Sequence, residues 1–231
     1  MGEKSIGIIG GMGPDATVDL FKKIIRSTPA TSDQEHIRII IDNNPKIPDR
    51  QKAIFERAAD PAPAITATAR NLEKAGADLL LIACNSAHHY FDAITESVSI
   101  PVLNIMTETA VFCRQQFPSQ RFYGLLAGDS TIKLGLYVKA FEQASLKILA
   151  PTPEDQKIVL ECIYAVKAGE PTSKIKPGLL AVVQNLGRAG AEAIILGCTE
   201  IPIVLQNGDH ALPFIDATDV LAKAAVAKVK A

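Results

Sequence analysis

The apolar residues of this chain fall in two alternating rhythms. Short apolar or β-branched runs predict strands at Ile6–Ile9, Ile37–Ile41, Leu79–Ala83, Ile100–Ile105, Leu146–Ala150, Ala193–Leu196 and Leu212–Ile215, with one more opening at Phe122. Between them apolar positions recur at helical spacing, beginning with Val18, Leu20, Phe21, Ile24 and Ile25 after Pro14. The same spacing predicts helices from Pro61 to about Ala75, through Phe91 and Ile94, and from about Met106 past Phe112. It continues over Gln156–Ala168, Lys174–Ala189 and Ala217–Val229. Gly76 and Gly190 stand where helices commonly close, and Pro14 suits a first helical turn. Strands apolar throughout and alternating with helices imply parallel sheets covered on both faces, an α/β fold. Pro101 puts the run beginning at Ile100 near a sheet edge.

One stretch is written twice. Ala75-Gly76-Ala77-Asp78, its apolar run and Cys84 return as Ala189-Gly190-Ala191-Glu192, a second run and Cys198, at a constant offset of 114 residues. A repeat of about half the chain means two tandem domains, since a solenoid unit would be several times shorter. Weaker echoes agree: Phe122 to Thr131 resembles the first strand with its glycine turn, and Leu146–Ala150 followed by Pro151-Thr152-Pro153 resembles the second with its Pro-rich loop. Open α/β sheets keep ligand groups in loops at strand C-termini. The expectation is an α/β chain of two domains, each a mostly parallel sheet flanked by helices; if the C-terminal edges of the two sheets face one another, both cysteines and the Pro-rich loops line the cleft between them.

Composition narrows the partners. A formal net charge of -1 leaves no basic surplus for phosphates, so nucleic acid is not an expected partner. No apolar run nears the roughly 18 residues that a membrane span needs, and Met1 to Gly11 is too short and too glycine-broken for a secretory leader, so a cytoplasmic protein is expected. The four cysteines form no CxxC pair, and one cysteine with His88 and His89 nearby is a weak metal signal; no metal site is expected. Disulfides are improbable in a reducing compartment, which leaves free thiols.

Two loops carry further candidates. Gly11, Gly13 and Ala16 satisfy the dinucleotide spacing G-x-G-x-x-G/A, but that fingerprint alone is weak, and Pro14 removes an amide that could face a pyrophosphate. No Lys-Ser/Thr comes after it, which excludes a Walker loop. The bland alternative is a tight turn with an anion-friendly rim, on which Met12 would line a cleft. The segment Asp42 to Arg50 is too proline-rich for helix or strand and offers Asn44 and, as a carboxylate clamp, Arg50. Thr131, in the echo of the glycine turn, joins the substrate-contact candidates.

On its own Cys84 would read as a small buried hydrophobe, as Cys113 and Cys162 do on their helical apolar faces. The repeat changes that reading, because Cys84 and Cys198 occupy matching strand ends, each succeeded by small polar residues and an expected helix start. A helix N-terminus lowers a thiol's pKa. Two thiols facing each other across a cleft suit removal of a proton from one face of a carbon and delivery to the other, which is racemisation or epimerisation. Asn85, Ser86 and Thr199 are placed either to hold a substrate carboxylate or simply to cap helices. Glu200 could assist the thiol of Cys198 or favour a helix dipole, and His88 could orient Cys84 or be structural.

These residues carry a family resemblance. Gly10-Gly11-Met12-Gly13-Pro14, Asp42-Asn43-Asn44-Pro45 to Arg50, Ala83-Cys84-Asn85-Ser86-Ala87-His88, Gly124-Leu125-Leu126-Ala127 and Leu196-Gly197-Cys198-Thr199-Glu200-Ile201-Pro202 together resemble the aspartate/glutamate racemase family, in its aspartate racemase branch. The resemblance covers essentially the whole chain. It implies two pseudo-symmetric α/β lobes with the active site in the cleft between them, a homodimer, and cofactor-independent catalysis by Cys84 and Cys198, with Arg50 and Lys167 binding the substrate's side-chain carboxylate. It further implies that residues 1–104 and 205–231 form the N-terminal lobe and residues 105–204 the C-terminal one. The substrate so implied is an acidic amino acid, aspartate first, with glutamate or a broader range open. A reading of another class is a non-catalytic dicarboxylate-binding module, although binding alone has no need of thiols.

Overall fold

The computed structural model describes residues 3–230. Met1 and Gly2, at the start of the segment read as lacking a leader, and Ala231 lie outside the described residues. The elements of the first half are β1 (Ile6–Gly10), α1 (Pro14–Ser27), β2 (Ile39–Asn43), α2 (Arg50–Glu56), α3 (Ala62–Lys74), β3 (Leu79–Ile82), α4 (Phe91–Glu96) and α5 (Ile105–Gln116). Those of the second are β4 (Phe122–Leu126), α6 (Asp129–Lys133), α7 (Leu136–Gln143), β5 (Lys147–Leu149), α8 (Pro153–Lys167), α9 (Thr172–Arg188), β6 (Ala193–Leu196), α10 (Ile201–Val204), β7 (Phe214–Asp216) and α11 (Ala217–Lys230).

The chain divides into two compact units, one running to Glu108 and resuming at Thr218, the other Thr109–Ala217. The first holds a parallel sheet in the order β2-β1-β3, with Ile6 opposite both Ile39 and Leu79. β1 and β3 are buried along their whole length, which is what their unbroken apolar sequence requires. On one face, Ile65, Ala69 and Leu72 of α3 pack with Ile9, Leu80 and Ile82. The second unit holds a parallel sheet in the order β5-β4-β6-β7. Val159 and Ile163 of α8 and Leu179, Val182 and Leu186 of α9 cover Leu126, Ile194 and Leu196.

The 114-residue repeat has a structural meaning at both ends of its strand. β3 and β6 lie at that offset, each entered through a glycine of positive φ, Gly76 at 91° and Gly190 at 101°. The acidic residue two positions later reaches across to the start of the central strand. Asp78 Oδ2 accepts from the N–H of Ser5 at 2.7 Å, and Glu192 Oε2 accepts from those of Arg121 and Phe122 at 2.6 and 2.9 Å.

Several expectations move. The strand expected over Ile100–Ile105 shrinks to one bridge, Val102 with Leu80, because Pro101 cannot donate and Asn104 already turns the chain into α5, its Oδ1 accepting from the N–H groups of Met106 and Thr107. The strand expected at Ile37 begins at Ile39. The loop judged too proline-rich for a helix ends in one: Asp49 caps α2, its Oδ1 accepting from Lys52 N–H at 2.9 Å. Helices α6 and α7 had no counterpart in the apolar pattern. The lobe boundaries expected near Asn104 and Leu205 fall after Glu108 and Ala217 instead. The second shift has a plain cause, since β7 pairs with β6, and the Asn207 side chain bonds to the backbone N–H and carbonyl of Phe214, holding that segment in the second unit. Among the described residues no helix is long and apolar enough to cross a membrane.

Candidate active site

In the first unit the expected residues collect at the C-terminal edge of the sheet. β1 ends at Gly10 opposite Asn43, the Asn44 N–H donates to the Gly10 carbonyl, and the Ala83 N–H donates to that of Ile9. Met12, Asn44 and Cys84 therefore come just after three neighbouring strands. Met12 and Cys84, both buried, belong to one apolar cluster with Ile47 and Ala87. Arg50, the first residue of α2, bridges the two loops by donating from Nη1 to the Pro48 carbonyl at 3.0 Å and from Nη2 to the Met12 carbonyl at 3.2 Å. Asn44 spends its Oδ1 on the N–H of Lys46 at 3.1 Å.

The glycine turn is packed against the chain itself. Gly11 has φ +91°, and a Cβ there would collide with the backbone of Asn44. The room that a dinucleotide fingerprint would give to a pyrophosphate is thus filled by the loop after β2. Thr17, which the apolar pattern did not single out, fixes the turn by accepting from Gly11 N–H at 2.9 Å and donating to the Gly13 carbonyl at 3.2 Å. Its signal was a hydroxyl one helical turn after the Gly13 cap.

Cys84 stands two residues beyond β3, its sulfur 3.3 Å from the Ser86 hydroxyl. His88 Nδ1 lies 3.0 Å from the Cys84 carbonyl and its Nε2 accepts from Ile105 N–H at 3.2 Å. Past Cys84 the chain forms a 3-10 turn over Ser86–Tyr90, and Asn85 makes no side-chain cap there. The expected α-helix start is absent, so a helix dipole is not available to this thiol as supposed.

In the second unit Cys198 also stands two residues past its strand, with Gly197 N–H bonded to the Leu126 carbonyl at 2.8 Å. Cys198 is half-buried; its thiol donates to Glu200 Oε2 at 2.9 Å, as the Thr199 hydroxyl does at 3.1 Å. Lys167, half-exposed at the end of α8, brings Nζ to 3.6 Å from Glu200 Oε1. Burial, and then the charge of Glu200, push the Cys198 thiol well above its ordinary range. The lowered pKa expected of a helix start is therefore overturned here, and the next helix, α10, has only four residues.

Thr131 is buried in α6, in the turn after β4, the strand beside β6. It thus stands one strand over from Cys198. Gln156 of α8 shapes that turn, donating from Nε2 to the Ala127 carbonyl and to Asp129 Oδ1, both at 3.0 Å. Nothing in the sequence marked Gln156 beyond its place after a Pro-rich loop. Among the described residues no cluster of three or more His, Cys, Asp or Glu could hold a metal ion. Each sheet edge thus presents a thiol with a hydroxyl nearby, Ser86 beside Cys84 and Thr199 sharing Glu200 with Cys198, an arrangement able to exchange a proton at sulfur.

Comparison with known proteins identifies relatives over the whole chain. The broad-specificity amino-acid racemase RacX of Bacillus subtilis is 27% identical over 96% of each chain. The structure of Picrophilus torridus aspartate racemase matches with a TM-score of 0.87 and 32% identity, covering 98% of this chain and 94% of its own. A glutamate racemase of Persephonella marina is 28% identical over 62% of this chain and 54% of its own length. The model of the Asp/Glu/hydantoin racemase family matches residues 9–225, and the chain belongs to that family as an amino acid racemase.

Proposed function

We propose that this racemase interconverts L- and D-aspartate by two-base proton transfer at Cα, with Cys84 and Cys198 as the thiolate and thiol. The observation that carries the reading is the matched station of the two cysteines, each two residues beyond a strand of the repeated segment. One thiolate takes the α-proton while the other thiol delivers a proton to the opposite face, and the roles reverse for the other enantiomer. An amino acid α-carbon is a very weak acid, so the charge that grows on the α-carboxylate must be held by preorganised donors. Asn85, Ser86 and Thr199 take that part, Arg50 and Lys167 hold the side-chain carboxylate, and Met12, Asn44 and Thr131 line the substrate. No cofactor enters this scheme, and the working form is a cytoplasmic homodimer.

The Picrophilus torridus relative supports aspartate. The Bacillus subtilis relative, named for broad specificity, favours a second reading in which glutamate and other amino acids are also turned over. Purified protein incubated with L-aspartate or L-glutamate in D2O without added cofactor, then analysed by chiral chromatography and for deuterium at Cα, tests both. Cys84→Ala and Cys198→Ala should each abolish racemisation. Two variants that racemise like the parent would end the two-base reading, and binding of aspartate without turnover by the parent would favour a dicarboxylate-binding module.

A further inference from the structure

The two strand-end cysteines are held by different devices. In the second unit the carbonyl of Cys198 accepts from a backbone donor, the Ile201 N–H at 3.1 Å. In the first unit the carbonyl of Cys84 accepts from a side chain, His88 Nδ1 at 3.0 Å. The reason lies in the turn between them. Over Ser86–Tyr90 the chain is a 3-10 helix, and the His88 N–H goes three residues back to the Asn85 carbonyl at 3.1 Å. The amide that would reach Cys84 in an α-helix is thus already spent, and the imidazole of the same residue stands in for it. We propose, on the racemase reading of the site, that His88 is a positioning residue for proton transfer, holding the Cys84 peptide so that the sulfur is placed before substrate arrives.

Three contacts restrict Cys84. The Ala83 N–H donates to the Ile9 carbonyl at 3.1 Å and fixes the chain before it, His88 fixes the carbonyl after it, and the Ser86 hydroxyl stands 3.3 Å from the sulfur. The ring that supplies the second contact is itself locked. It is buried, lies nearly parallel to the Phe91 ring with centroids 6.0 Å apart, and accepts at Nε2 from the Ile105 N–H at 3.2 Å. That N–H belongs to the first turn of α5, where the Asn104 side chain takes the N–H groups of Met106 and Thr107 and leaves this one to His88. Because Nε2 accepts, the ring's proton sits on Nδ1, and a ring bonded at both nitrogens keeps one tautomer and one orientation. Proton abstraction from carbon is sensitive to placement, a displacement of about 1 Å being able to cost on the order of 10²-fold in rate. The clamp therefore acts on turnover and not on affinity, since no atom of His88 has to touch the substrate.

Two amide side chains divide the clamp. His88→Asn puts a carboxamide N–H where Nδ1 stands, keeping the bond to Cys84 and losing that to Ile105; His88→Gln reaches the place of Nε2 and does the reverse. Each loses one hydrogen bond, so a merely structural role would lower melting temperature and activity in both alike. Positioning predicts a split: kcat should fall about 10- to 100-fold in His88→Gln and stay within about threefold of the parent in His88→Asn, with KM little changed in either. His88→Ala should resemble His88→Gln and recover turnover when free imidazole is added. A kcat for His88→Gln equal to or above that of His88→Asn, a loss expressed in KM alone, or failure of all three variants to fold overturns the proposal. A parent protein that racemises no amino acid overturns the racemase reading instead, a result visible before any variant is made.

Discussion

The imidazole of His88 and the carbonyl of Cys84 share a hydrogen bond of 3.0 Å in which the ring nitrogen must be the donor, because a carbonyl only accepts. Since Nε2 accepts from Ile105 N–H, the ring is neutral with its proton on Nδ1. Burial is the main reason its pKa is pushed down to about 4. His88 thus orients the peptide carrying the thiol and ties it to the start of α5.

That depressed pKa makes stability depend on pH. Between the ordinary value of 6.5 and about 4 the unfolded chain binds a proton at His88 that the folded chain refuses. Stability is therefore full above the upper value and falls as pH drops through this window, by at most on the order of 3 kcal/mol. Urea unfolding across the window, parent against His88→Gln, is expected to show a shallower decline in the variant.

Gly11 and Gly13 share one apparent fingerprint but should respond oppositely to alanine. Gly11→Ala meets both a positive φ and the Asn44 backbone, and is expected to cost about 1–3 kcal/mol and much of the activity. Nothing lies within 4 Å of a Cβ at Gly13, so Gly13→Ala should stay within about 0.5 kcal/mol of the parent. Thermal unfolding and the aspartate assay compare them directly.

Arg50→Lys keeps the charge but loses the fork that reaches the Met12 and Pro48 carbonyls together. We expect about 1–3 kcal/mol of lost stability and a raised KM for aspartate. An unchanged KM would remove Arg50 from the substrate's side-chain carboxylate.

Lys167→Met breaks a half-exposed ion pair with Glu200, which should cost less than about 1 kcal/mol. If Lys167 also holds the substrate, turnover of aspartate should fall far more than stability does. Equal kcat and KM to the parent would leave it a surface pair only.

Asp78 has a lowered pKa because it accepts from the N–H and the hydroxyl of Ser5, and Glu192 because it accepts from the N–H groups of Arg121 and Phe122. Their contribution is present at neutral pH and lost as acid protonates them. Asp78→Asn should lower the melting temperature at neutral pH and converge on the parent in acid.

These same residues explain how much was legible in the sequence. The repeated Ala-Gly-Ala-Asp/Glu is a helix end, a left-handed glycine and a strand clamp, all set by local chemistry, so both copies of the strand and both cysteines could be located. The boundary near Leu205 was misjudged because membership of β7 depends on pairing with β6, a contact that the local pattern does not encode. The helix at Arg50 was hidden by prolines that precede its cap, and Gln156 and Thr17 act through partners visible only in three dimensions. The environment of Cys198 differs from the expectation for a related reason: the helix after it is too short to matter, while burial and then the carboxylate two residues on push the thiol up.

The chain leaves the first unit after Glu108 and re-enters it at Thr218, where α11 anchors through Lys230 Nζ to the Glu35 carbonyl at 2.9 Å. The second unit is thus an insertion within the first. A molecule pulled by handles at Ser5 and Lys230 bears its load first on the segment that encloses the other, so the unit holding Cys84 should unravel before the force reaches the one holding Cys198. The two halves of the repeat, alike in sequence, are unequal under tension.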